Sequence, residues 1–326
     1  MDASGALLIP CSVKVAVSAR LDLFNRSRSR LVEPLDLVFW PAPVRLHPFE
    51  AHVRAAAAGG FTSLAIAPTT YSQGRAQGLS IAEMKAMADD HGVPLRHLDT
   101  LTTWAPLQLA NYEFDAELSE RVKTTVERGL EICAELGLVQ ILATAGYLKG
   151  GVPLQQLIDG FGDLCERAAK LGIWVDLEPM PFFGCNDVAA AWAVVGGAAQ
   201  DNSGILMDTW HFYKAGQTLD CIADIPGRYF RTMQINDAPA AQITGSLMED
   251  TIKHRRWPGQ GELPVVDFIR AVHAKGSLAA VGQEVFSLEA DEMAPETAGR
   301  VAGETAWSIL REAGVPVSPR YPSRVA

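Results

Sequence analysis

The sequence predicts an α/β chain folded as a single (β/α)₈ barrel of the TIM type, and three observations carry that expectation. Eight short apolar runs alternate with eight longer amphipathic ones along the chain, the count such a barrel needs. The short runs are rich in Val, Ile and Leu without strict alternation, as strands covered on both faces are. No GxGxxG or GxxxxGK[ST] turn follows the first of them, so the rival doubly wound nucleotide-binding sheet lacks its signature.

The expected strands, in order, are 35–40, 62–67, 95–99, 139–143, 173–178, 204–208, 230–235 and 279–285. The expected helices are 49–58, 81–91, 116–136, 154–171, 187–198, 218–223, 265–275 and 295–313. Glycines follow many of the last turns, at Gly59-Gly60, Gly92, Gly137, Gly172 and Gly314, as C-terminal caps do. Asn186-Asp187 is placed to cap the Ala/Val-rich run after it. The barrel therefore spans 34–313, preceded by an N-terminal extension of 1–33 and followed by a short tail, 314–326, with three prolines and no periodicity. Residues 238–262 form a long loop after the seventh strand, and loops of that length usually carry function.

Composition narrows the partners. The chain has 326 residues, 48% of them hydrophobic and 20% charged, enough for a full-sized core. Its net charge of −10 removes the electrostatic drive toward nucleic acid and anionic membranes. Five widely spaced cysteines without a CxxC read as reduced thiols, and hence a cytoplasmic protein. No apolar run is long enough to span a membrane, and Ala16-Val17-Ser18-Ala19 lacks the basic flank of a cleavable signal. Both a monomer and a homo-oligomer stay open.

In this barrel, chemistry sits where strands end and βα loops begin. The fifth strand ends in Asp176-Leu177-Glu178-Pro179 and the sixth in Met207-Asp208-Thr209-Trp210-His211. The seventh ends in Gln234-Ile235-Asn236-Asp237 and the eighth in Gln283-Glu284-Val285-Phe286. Glu178, Asp208, Gln234 and Glu284 thus come from four consecutive strands. Three carboxylates and an amide on one rim need a neutralising cation, and all-oxygen ligation favours one hard divalent ion, Mg²⁺ or Mn²⁺, with Co²⁺ a further candidate. A lone rim glutamate has a plainer reading as a helix cap or a solvated carboxylate; recurrence on four strands is what argues for metal.

These stretches resemble the xylose-isomerase-like barrel superfamily, often called sugar phosphate isomerase/epimerase, over roughly residues 35–313. Its members include tagatose epimerases, inosose isomerases and dehydratases, 3-dehydroshikimate dehydratases and, more distantly, endonuclease IV. The most specific matches are Leu177-Glu178-Pro179, the stretch 205–216 around Asp208 and His211, Gln234 through Pro239, the HRRWPGQGELP stretch at 254–264, and Gln283 through Phe286. The resemblance implies Glu178, Asp208, residue 234 and Glu284 as metal ligands. It implies Glu178 and Glu284 as the acid/base pair, with His211 facing the substrate. The chain departs from the pattern in carrying Gln234 where His is usual, and Ala238-Pro239-Ala240-Ala241 where epimerases place an Arg; Arg255 or Arg256 could supply it.

Other residues carry paired readings. His211 is either a core histidine or a substrate contact able to serve as acid or base. Asp237 either caps a helix or orients Gln234 or His211 from behind. Arg256 and His254 form either a solvated turn or a clamp on the substrate, and Trp104 either packs or lines a sugar face. His47, His52, His91, His97 and His273 have no ligand spacing.

The leading expectation is a metal-dependent isomerase or epimerase of a ketose, inosose or related polyhydroxy ketone. It would work through a metal-stabilised enediolate with two glutamates as acid and base. The alternative is a lyase that expels a β-hydroxyl as water, like the 3-dehydroshikimate and inosose dehydratases. An endonuclease needs more rim histidines and a basic face; a non-catalytic binding barrel would purify without metal.

Overall fold

The structure is a computed structural model that describes residues 35–108 and 116–321; the expected N-terminal extension and the end of the tail lie outside them. Nine strand segments form one parallel sheet: β1 (Asp36–Phe39), β2 (Ser63–Ile66), β3 (Leu95–Leu101), β4 (Gln140–Thr144), β5 (Trp174–Glu178), β6 (Ser203–Ile205), β7 (Met207–Asp208), β8 (Thr232–Ile235) and β9 (Ala280–Gln283). Their order is β6-β5-β4-β3-β2-β1-β9-β8-β7, with β1 paired to β9 through Asp36↔Ala280. Only Leu206 separates β6 from β7, and its N–H still bonds Leu177 O at 3.1 Å. The two segments therefore fill one of eight positions in a single α/β barrel. Every expected strand is present within one or two residues at each end.

The strands hold together because nearly every residue in them is buried, as continuous apolar runs require. Around them lie α1 (Phe49–Ala58), α2 (Pro68–Ala76), α3 (Ile81–Asp90), α4 (Ala116–Arg121), α5 (Val126–Leu136), α6 (Leu154–Ala169), α7 (Val188–Ala198), α8 (Thr209–Lys214), α9 (Leu247–Lys253), α10 (Val265–Ala274), α11 (Leu288–Asp291) and α12 (Pro295–Glu312). Asp187 caps α7 as expected, its Oδ1 accepting from the Ala190 N–H at 2.8 Å. Gly137 closes α5 in the left-handed region at φ 73°. The last helix lies directly on the first because Gly299 and Gly303 have no side chain. A Cβ on either would come within 2.0 and 2.1 Å of the carbonyls of Ala55 and Gly59. Phe61 fills the layer beneath, edge-on to Phe39 and Trp307 at 4.9 and 4.8 Å between centroids. Truncating it to alanine would cost about 3–5 kcal/mol.

Three expectations need correction. The run 116–136 is two helices, because Thr125 caps α5 through the Arg128 N–H at 3.2 Å and starts a new axis. Residues 218–223 form a 3₁₀ turn (Leu219–Ile222). The long loop 238–262 contains α9, which lies across the C-terminal end of the barrel.

Cys133, Cys165 and Cys185 are buried and Cys221 exposed, all as free thiols; Cys11 lies outside the described residues. Among the described residues no helix is long and apolar enough to cross a membrane.

Candidate metal centre

β5 ends on Glu178, β7 ends on Asp208, and Glu284 directly follows β9. Parallel register sets Asp208 beside Gln234 and Gln234 beside Gly282. One carboxylate oxygen from each of Glu178, Asp208 and Glu284 lies within 4.8 Å of the others, and all three side chains are buried. Negative charges this close, out of water, resist ionisation. Burial first, then Glu284 and Asp208, holds Glu178 well above the carboxylate range. Burial lifts Glu284 to about 8, against the pull of Arg255.

A web of hydrogen bonds orients these groups. Asp208 Oδ1 caps α8 by accepting the His211 N–H at 2.8 Å, while Oδ2 accepts from Asn236 Nδ2 at 2.7 Å. Asn236 is itself fixed by the Thr209 hydroxyl, which donates to its Oδ1 at 2.7 Å. Gln234 Nε2 donates to Glu284 Oε1 at 3.0 Å. Arg255, only 3% exposed, donates through Nη1 to Asp208 Oδ2 and Glu284 Oε2, each at 3.1 Å. Its Nη2 reaches His211 Nε2 at 3.1 Å, so that nitrogen is the acceptor and Nδ1 carries the ring proton. His211 Nε2 also stands 3.6 Å from Glu178 Oε1. Burial first, with the Arg255 charge reinforcing it against Asp208, pushes the imidazole down to about 3, so it is neutral at physiological pH.

Among the described residues, three buried atoms of this site have no hydrogen-bond partner: Glu178 Oε1, Gln234 Oε1 and His211 Nδ1. Unmet buried polar atoms cost roughly 1–3 kcal/mol each unless something supplies the partner. Two are oxygens in a cluster of carboxylates, the donor set a hard divalent cation takes. The residues present therefore fit such an ion, and the amide ligand expected at 234 has the right atom unengaged.

A pocket of about 660 Å³, its open mouth included, lies over this floor. Met180, Phe182, Phe286 and, from α9, Met248 and Ile252 line its walls. Asp99 and Arg121 line it too and pair with each other at 2.8 Å.

The structure brings together Glu178, Asp208, Gln234, Glu284 and His211. It does not bring in the other expected contacts. Arg256 is exposed, its backbone pairing with Asp237 and its Nη1 reaching Gln260 O, and Arg255 takes the inward place instead. His254 is half-buried in a backbone bridge with Ser287, away from the pocket lining. Trp104 is buried in the barrel wall, its indole N–H donating to Thr144 O at 2.7 Å. Asp237 accepts from the N–H groups of Ala238, Gly259 and Leu263, so it ties down the long loop and bonds neither Gln234 nor His211. Its neighbour Asn236 is the one that orients a member of the cluster, donating to Asp208. Asp99 escaped notice although it sits near the end of β3, where a strand-end reading could have found it; Arg121, on a helix, gave no signal.

Residues 53–304 match the family model described as a xylose isomerase-like TIM barrel. The chain belongs to that family. Among curated relatives of this xylose isomerase-like barrel is a 3-dehydroshikimate dehydratase of Pseudomonas aeruginosa, 28% identical over 205 residues, 61% of this chain and 32% of the relative. An inosose isomerase of Bacillus subtilis is 23% identical over 187 residues, 56% of this chain and 66% of the relative. The chain thus aligns with about a third of the first protein and just under two thirds of the second. Among solved structures, that of the IOLI protein with a zinc atom bound superposes with a TM-score of 0.72 at 19% identity, covering 86% of this chain and 99% of the other.

Proposed function

We propose that this barrel is a divalent-metal-dependent isomerase or epimerase of a polyhydroxy ketone, with Glu178 and Glu284 as the proton-transferring pair. The observation that carries the reading is the floor of the pocket. Two buried glutamates from separate strands flank Asp208 there, with oxygens of all three within 4.8 Å. An isomerase must take a proton from the carbon beside a carbonyl and return one to a neighbouring carbon or to the opposite face. A metal held by Glu178, Asp208, Gln234 and Glu284 supplies electrophilic stabilisation of the negative charge that develops on the substrate oxygens.

The chain's own residues do the rest. One glutamate accepts the carbon-bound proton and the other delivers one, the two being separately oriented: Glu284 is held by Gln234 and Arg255, and Glu178 faces His211. His211, neutral and carrying its proton on Nδ1, accepts from Arg255 through Nε2 and does not compete as a cation. The apolar walls around Phe182, Met180 and Phe286 exclude water from the transfer.

A second reading is favoured by the similarity to a 3-dehydroshikimate dehydratase: the same first proton abstraction followed by loss of a β-hydroxyl, with His211 assisting its departure. The fate of the mass separates the two. The Mn²⁺-loaded protein is incubated in D₂O with ketoses, inososes and 3-dehydroshikimate, and the products are weighed. Products that gain one deuterium at carbon without losing water support the isomerase. Products lighter by one water promote the lyase, and no conversion across the panel overturns the substrate class.

A further inference from the structure

We propose that Arg255 is a resident counter-cation of the carboxylate site, which holds Asp208 and Glu284 assembled before a divalent ion arrives and then competes with that ion for them. The inference rests on the metal reading given above and concerns what sets the affinity.

Among the described residues, the floor brings three carboxylates against one guanidinium. The Nη1 nitrogen sits 3.1 Å from an oxygen of Asp208 and 3.1 Å from an oxygen of Glu284, bridging two of the carboxylates a metal would have to share. A divalent ion binds carboxylate oxygen at about 2.0–2.6 Å, so it would have to share those oxygens with the guanidinium or displace it. Repulsion between charges that close is little screened in a buried site and is large enough to move an affinity by about tenfold or more.

Arg255 is also built in. Its Nε and Nη2 donate to Thr251 Oγ1 at 3.2 and 2.8 Å, and Nε bonds Thr251 O at 3.1 Å. The guanidinium lies 5.4 Å from the ring centroid of Phe286 and 5.6 Å from that of Trp210. All its anchors outside the ligand set come from α8, α9 and the segment after β9, so its distance from the carboxylates is fixed by the fold. Without an ion, this guanidinium is the positive charge in direct contact with two of the three carboxylates.

A purely structural ion pair and a competing counter-cation differ in one measurable respect. If Arg255 only stabilises the fold, neutralising it lowers stability and leaves metal affinity alone. If it competes, Arg255→Met binds Mn²⁺ at least about tenfold tighter than wild type, read from the free Mn²⁺ signal in electron paramagnetic resonance. The metal-free variant melts lower than wild type and gains more in Tm on saturation with Mn²⁺. Arg255→Lys, which keeps a charge, stays within about threefold of wild type. Should the methionine variant fail to fold, Arg255→Gln removes the charge while retaining a donor toward Asp208 and gives the same direction. Equal or weaker Mn²⁺ binding by the neutral variants, with wild-type binding intact, overturns the counter-cation role and leaves the metal reading standing. Absence of binding in wild type and variants alike overturns both.

Discussion

The two ends of the barrel interior are built from the same side-chain types and put their carboxylates to different use. At the end where strands begin, Asp36 Oδ1 accepts the Thr62 hydroxyl at 2.9 Å, and its Oδ2 meets Arg96 Nε at 3.0 Å and His97 Nε2 at 3.2 Å. Asp176 there receives Gln140 and Thr232 on one oxygen and the Trp174 indole on the other, at 2.6, 2.6 and 2.7 Å. Both oxygens of both carboxylates are engaged. At the end where strands finish, Glu178, Gln234 and His211 each keep a buried atom without a partner. Asp176 and Glu178 lie two residues apart on one strand and point into the same interior, one toward each pole. Among the described residues, His97 Nδ1 and Ser63 Oγ are unmet at the first pole as well, but they adjoin no cluster of three carboxylates. Two of the unmet atoms at the second pole are oxygens beside Asp208 and Glu284, where one ligand can engage them together.

The largest contrast expected is functional. Glu178→Gln keeps the volume and removes a repelled buried charge. Turnover on whichever substrate of the panel the wild type converts should fall on the order of 10²–10⁴-fold. The metal-free protein should melt no lower than wild type, since the amide removes a charge that burial and its neighbours oppose. Retained turnover would remove Glu178 from the proton-transferring pair. A large loss of stability would mean that this pole, like the other, is organised for the fold.

Much of this division was legible in the sequence, and the misses have physical reasons. The strands could be read because burial on both faces leaves an uninterrupted apolar run, and the strand-end carboxylates because nothing in a core explains Glu178, Asp208 and Glu284 together. The break before α5 was hidden because 116–136 is amphipathic throughout and one threonine hydroxyl decides where the new helix starts. Arg255 and Arg256 are adjacent and chemically identical. Which of them faces inward depends on the antiparallel bridge Asp237↔Arg256, which fixes the backbone of one and turns the other side chain into the barrel. Trp104 was expected at the substrate because its position near a strand end is right; its indole N–H, committed to Thr144 O, fixes it as wall.

A smaller effect sharpens the contrast from the lower pole. Burial alone would raise Asp36, yet the contact with His97 and the Arg96 charge bring it down from 3.8 to about 2. A depressed folded-state value means that the stabilisation is complete above pH 3.8 and is lost as pH falls through about 2. At 1.36 kcal/mol per unit this amounts to about 2 kcal/mol. Asp36→Asn should therefore be less stable than wild type by about that much at pH 7 in urea unfolding. The gap should close between pH 4 and pH 2, with turnover per folded molecule unchanged at neutral pH. A gap that stays constant with pH would assign the loss to packing instead of charge.

The smallest effect concerns Gln234, whose counterpart at the other pole, Gln140, is put to a different use. Gln140 spends its amide nitrogen on Asp176 and Thr232 within a closed network. Gln234 spends its nitrogen on Glu284 Oε1 and leaves its carbonyl oxygen buried and unengaged, beside Asp208 in the register. An amide oxygen is a hard donor, so it favours Mg²⁺ and Mn²⁺, whereas imidazole at the same place favours Zn²⁺ and Co²⁺. Gln234→His should shift the ratio of Zn²⁺ to Mn²⁺ affinity upward by about tenfold in competition binding, an order of magnitude for one donor exchanged among four. The substitution also gives up the bond to Glu284, which would weaken both ions together; the ratio, unlike either affinity alone, is insensitive to that loss. An unchanged ratio would mean that the unengaged oxygen of Gln234 does not face the metal, and would leave the three carboxylates as the whole protein contribution to the site.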